Sequence, residues 1–121
     1  MLHTDLNVYK KAMDFVLSIY QLTASFPNEE KYGITSQLRR AAVSIPCNIA
    51  EGVSKNSTKD YIRFLYISLG SISELECLLE IALRLSYTSN NTSDNELNII
   101  KKMLIKLIAS LKKRENREMG K

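Results

Sequence analysis

Apolar side chains recur at alternating steps of four and three residues along four stretches of the chain. Val8, Ala12, Phe15, Ile19, Leu22 and Phe26 form the first such seam, which predicts a helix over about residues 7–25. Pro27 and the polar Asn28-Glu29-Glu30-Lys31 close it and make the turn. Ile34, Leu38, Ala41, Ala42, Ile45 and Ile49 share one face of a second helix, about 34–50, after which Gly52 to Asn56 reads as a short loop. Ser57, with Asp60 three residues on, is the expected N-cap of a third helix over about 58–86. Its seam is Phe64, Leu65, Ile72, Leu75 and Leu79. A polar loop from Tyr87 to Thr92 follows. Ser93-Asp94-Asn95-Glu96 then has capping-box spacing and opens a fourth helix, about 94–114, with Leu97, Ile100, Leu104, Leu107 and Leu111 as its seam and a frayed tail over 115–121.

Regular helices joined by short loops give one all-α domain over residues 1–121, an antiparallel up-down four-helix bundle. Pro46 stands inside the second helix. It has no N–H for the carbonyl of Ala42, so a kink is expected there. Gly70 near the centre of the third helix costs about 1 kcal/mol relative to alanine. With Ser68, Ser71 and Ser73 around it, the expectation is a small-residue face that lets the second helix come close.

The apolar surface exceeds what one bundle core needs. At 100° per residue, apolar and aromatic side chains cover roughly 220° of the first helix, leaving a polar strip of Lys10, Lys11, Asp14, Ser18, Gln21 and Ser25. On the third helix, Ile62, Ile67, Leu69, Leu78 and Leu85 flank the seam. A subunit interface accounts for the surplus, since large apolar patches are uncommon on soluble monomers; a generous core is the competing account.

Charge changes the picture only at one end. Residues 101–121 hold eight Lys/Arg against two Glu, whereas residues 1–100 hold nine against eleven Asp/Glu. On the fourth helix Lys102, Lys106, Lys113 and Arg117 fall within about 60° of one another, opposite the leucine seam, with Lys101, Lys112 and Arg114 flanking them. Two readings compete: a solvated outer face, or a strip that tracks phosphates and gains affinity by releasing counterions. No aromatic interleaves with the strip, so any binding there is electrostatic and tolerant of sequence. Arg39 and Arg40 lie on the flanks of the second helix, with Glu51 on the side of Arg40. Arg39, Arg40, Glu51, Arg63, Glu74 and Glu76 are candidates for interhelical or intersubunit ion pairs, with a nucleic-acid contact as the competing reading for Arg39, Arg40 and, beside Lys55 and Lys59, Arg63.

The remaining chemistry is sparse. His3 is the sole histidine, and Cys47 and Cys77 are the only cysteines, expected as buried or partly buried free thiols. These cannot compose a zinc site, and no glycine loop of the phosphate-cradling kind is present. The expectations are no enzyme, no metal and no cofactor. No apolar run reaches the roughly 18 residues of a membrane span, and the N-terminus has no secretory h-region, so a cytoplasmic protein is expected.

Three strings carry a resemblance: QLRRAAVSIPCNIAEG from Gln37 to Gly52, RFLYISLGSISELE from Arg63 to Glu76, and FPNEEKYG from Phe26 to Gly33. Together they resemble the family of the 23S rRNA-intervening-sequence proteins over about Val8 to Tyr87. The resemblance implies a four-helix bundle assembled as a ring-shaped homo-oligomer, often a pentamer. It also implies a nucleic-acid context, because the namesakes are encoded within insertions in ribosomal RNA genes. A related branch, the accessory protein of diversity-generating retroelements, works with a reverse transcriptase. The leading functional expectation is a non-catalytic homo-oligomer associated with RNA or DNA through its basic face. The alternative is a protein–protein scaffold or accessory subunit with no direct nucleic-acid role.

Overall fold

A computed structural model describes residues 2–89 and 92–120. Asn90 and Asn91 of the expected polar loop, and Lys121 of the expected tail, lie outside the described residues. Four helices carry the fold: α1 (Asn7–Thr23), α2 (Ile34–Val53), α3 (Thr58–Arg84) and α4 (Thr92–Met119). One 3-10 turn, His3–Asp5, leads into α1, and a second, Asn28–Glu30, lies between α1 and α2. Each helix packs on its two neighbours around a square, α1 on α2, α2 on α3, α3 on α4 and α4 back on α1. This is the four-helix bundle that the apolar seams predict.

Phe15, Ile19, Leu38, Ile45, Ile49, Leu65, Ile72, Leu75, Leu97, Ile100 and Leu104 fill the centre with essentially no exposed surface. Burying a side chain of this size contributes about 1.5–3 kcal/mol, so the seams rather than helix propensity hold the bundle together. The seam positions Leu22, Phe64 and Leu107 are only partly buried, while Ile62, Leu78, Ala82 and Ile108 join the core.

The α2–α3 contact is the most intimate. The buried Ser68 hydroxyl donates to the carbonyl of Ile45 at 3.0 Å, and the Ser44 and Ser71 hydroxyls share a 2.8 Å hydrogen bond. Small side chains let the two backbones approach closely enough for these bonds. Gly70 plays no part in this contact. A Cβ there would meet nothing within 4 Å, because the residue faces outward. The close approach is at Gly52, which belongs to α2 rather than to a loop. A Cβ on Gly52 would lie 2.9 Å from Tyr61 Cδ1 and 3.2 Å from Phe64 Cβ. The helix extends to Val53 because burial of Gly52 against α3 outweighs the low helix propensity of glycine. Pro46 lies inside α2 with its ring buried, and the helix continues on both sides of it.

The helix ends show how local chemistry sets the bounds. Ser57 caps α3 as expected, its Oγ accepting from the Asp60 amide at 3.1 Å. At the other end of α3, Ser86 takes a left-handed φ of 62°, Ser86 N–H bonds to the Leu83 carbonyl and Tyr87 N–H to that of Ala82. That pair of bonds is a Schellman closure with serine in the place usually held by glycine. Tyr87 then packs on Phe26 and donates its hydroxyl to Glu30 at 2.8 Å, tying the α3–α4 connection to the α1–α2 connection. That hydrogen bond, with the negative charge of the carboxylate, holds the Tyr87 pKa above its ordinary value.

α4 begins at Thr92, two residues before the expected start, so Ser93 lies within the helix, and the Glu96 carboxylate accepts from Ser18 of α1 at 3.1 Å. α4 also runs past Arg114 to Met119 instead of fraying. Arg114 and Glu118 form an i,i+4 ion pair, and both bond to Thr58 at the head of α3, which gives the last turn of α4 something to pack on. Cys47 and Cys77 are free thiols as expected, but exposed rather than buried or partly buried, because both fall on the outward faces of their helices.

Candidate nucleic-acid interface

α4 places Lys102, Lys106, Lys113 and Arg117 on its outward side, all four exposed, while Leu97, Ile100, Leu104, Ile108 and Leu111 of the same helix face the core. Lys102 and Arg117 lie 15 positions apart, roughly 22 Å along the helix at about 1.5 Å per residue. Among the described residues none of the four has an ion-pair partner or a ring contact. They are therefore hydrated cations along one helix, able to approach phosphates and release their counterions without first breaking an ion pair within the chain.

The three flanking cations are engaged within the chain. Lys101 pairs with Glu76 of α3 at 3.4 Å, Lys112 sits 5.1 Å from the centre of the Tyr66 ring, and Arg114 is held by Thr58 and Glu118. The structure thus divides the basic set of α4 into four free charges and three that help join α4 to α3. Tyr61, half-buried near this end, has its pKa raised by burial, with the charge of Arg114 acting in the opposite sense.

In the second set of sequence candidates Glu76 forms an interhelical pair, with Lys101, whereas the others are arranged differently. Arg39 donates through Nε to the Thr23 hydroxyl at 2.9 Å and stacks 4.5 Å from the centre of the Tyr20 ring, locking α2 to α1. Arg40 reaches Ser36 of its own helix at 3.4 Å. Within the chain neither arginine pairs with Glu74 or Glu76. Glu51 pairs with Lys55, and Arg63 pairs with Asp60 while lying 4.5 Å from the Phe64 ring centre. Glu74 shares the rim of a groove with Arg40, Gln37, Ser44 and Ser71, without an ion pair.

One grouping escapes a reading of the sequence alone. Tyr20 of α1 and Tyr32 of the turn before α2 line a shallow groove together with Lys31, Arg39 and Arg40. The Lys31-Tyr32 adjacency is the only sequence signal for it, because Tyr20 belongs to the apolar arc of the first helix. A second groove at the same end of the bundle has the opposite balance, since Glu76, Glu80 and Asp94 line it beside Arg84.

An all-helical bundle with one basic outer face defines the class. The model of the 23S rRNA-intervening sequence protein family matches residues 4–109, and the chain belongs to that family. A solved structure from Bacteroides thetaiotaomicron, a protein of unknown function from the S23 ribosomal protein family, is similar at 31% identity and a TM-score of 0.77, covering 84% of this chain and 95% of that one. No curated protein matches.

Proposed function

We propose that the protein is a non-catalytic homo-oligomer that associates with RNA through the outer face of α4. The observation that carries this reading is the row Lys102, Lys106, Lys113 and Arg117, exposed and without acidic partners among the described residues. The family description, with its reference to 23S rRNA, sets an RNA context. Self-association is supported by apolar side chains that the bundle leaves outside its core. Met13 and Leu17 are 45% and 63% exposed and lie four residues apart on one side of α1. A patch of that kind on a soluble protein marks a contact surface. Assembly repeats the basic row around the oligomer, so that a weak contact per subunit becomes a firm one through avidity.

Titration of binding to generic RNA against salt tests the first half. Log affinity falls linearly with log salt, by roughly 0.7 per phosphate for single strands. Sedimentation at micromolar concentration tests the second half, with a species several times the 13.8 kDa chain mass expected. A sedimenting monomer refutes self-association, and absence of binding at low salt refutes the RNA reading and favours a protein scaffold.

A further inference from the structure

We propose a second nucleic-acid contact, distinct from the basic row of α4: a stacking platform for single-stranded RNA at the junction of α1 with the turn before α2. It rests on the RNA reading above and adds base contact to what is otherwise a purely electrostatic interaction.

Tyr32 is 89% exposed, the most exposed large apolar side chain among the described residues. An aromatic ring so placed gains nothing for the fold, and both of its faces are open apart from Lys31, whose Nζ lies 5.6 Å from the ring centre. Tyr20, 43% exposed, lines the same groove of about 460 Å³ and carries the Arg39 guanidinium stacked on its ring. The ionisable groups that line the groove besides the two phenols are Lys31, Arg39 and Arg40, all cations, with no carboxylate among them.

This combination is specific for a single strand. Bases in a duplex have their faces covered by neighbours, whereas an unpaired base can lie on a tyrosine ring or a guanidinium plane while adjacent cations hold its phosphates. Stacking on an aromatic ring tolerates any base, so the platform needs no sequence preference. The fixed geometry of Arg39, held by Thr23 at 2.9 Å, presents one flat cation at no further ordering cost, while Tyr32 supplies the free ring.

The test compares a single-stranded RNA of about 15 nucleotides with the duplex it forms with its complement, using fluorescence anisotropy of the full chain. Tyr32→Ala is expected to weaken single-strand binding roughly 5- to 100-fold and to leave duplex binding within about twofold. Tyr32→Phe is expected to bind as the parent does, because the ring rather than the hydroxyl is used. Arg40→Gln is expected to lower the single-strand salt slope by about 0.7. Circular dichroism of Tyr32→Ala should match the parent, since the side chain is outside the core. Unchanged single-strand affinity in Tyr32→Ala overturns the platform, and so does an equal loss for the duplex. If single strands are released only when the α4 row is neutralised, the platform fails while the α4 reading stands. If the parent binds neither form of RNA, both fail.

Discussion

The Thr58 hydroxyl accepts from both Nε and Nη2 of Arg114, at 3.3 and 3.1 Å, although 56 residues separate the two along the chain. The same hydroxyl donates to Glu118 at 3.2 Å. One buried threonine at the head of α3 therefore anchors the final turns of α4. Thr58→Val keeps the shape and removes the hydroxyl. We expect it to cost about 0.5–1.5 kcal/mol in urea unfolding and to speed amide exchange selectively over residues 112–119. Exchange rates unchanged in that segment would contradict the anchoring role.

Gly52 and Gly70 should respond in opposite directions to alanine. At Gly52 the new Cβ meets Tyr61 and Phe64 at 3.2 Å or less, including the Tyr61 carbonyl, which cannot rotate away. Gly52→Ala is expected to destabilise by about 1–3 kcal/mol. Gly70→Ala enters open space in the middle of a helix and is expected to stabilise by about 0.5–1 kcal/mol. Thermal unfolding of the two variants measures both signs. A destabilising Gly70→Ala would mean that another surface closes on that position.

Alkaline pH provides a third check. Tyr61 has its folded pKa raised above 10, chiefly by burial. Its neutral form is the one the fold favours, so its contribution is complete below the unfolded value near 10 and is lost as pH rises through the raised folded value. Tyr87 acts in the same sense through its hydrogen bond to Glu30. Tyr61→Phe should lose less stability than the parent as pH rises above about 10, measured by urea unfolding at each pH. Parallel curves for the two proteins would contradict the shift.

Pro46 makes a geometric prediction. With no N–H at residue 46, the Ala42 carbonyl lacks its usual partner, and the axes of residues 34–42 and 47–53 should diverge by about 20° or more. Crystal structures of the parent and of Pro46→Ala would show a smaller angle in the variant. Collinear halves in the parent would contradict the kink.

The fold was legible because its information is periodic. Leu38, Ile45 and Ile49 announce their helix face by spacing alone, and each is fully buried. The two glycines were not legible. Both interrupt helical patterns, and only the three-dimensional neighbours show that Gly52 meets Tyr61 while Gly70 meets nothing. The α4 end depends on Thr58, a contact that no local pattern encodes. The basic row was visible as an arc, but the separation of Lys101, Lys112 and Arg114 from the other four depends on where α3 places Glu76, Tyr66 and Thr58. The Tyr20–Tyr32 groove depends on the turn between α1 and α2, which brings together residues from two elements.

The most direct test of the central claim is the salt dependence of RNA binding in a variant with Lys102, Lys106, Lys113 and Arg117 all changed to glutamine. None of the four faces the core, so helicity should be intact by circular dichroism. The account predicts weaker binding and a flatter plot of log affinity against log salt, by roughly 0.7–0.9 for each phosphate that the variant no longer neutralises. Parent-like affinity and slope in the quadruple variant would contradict it.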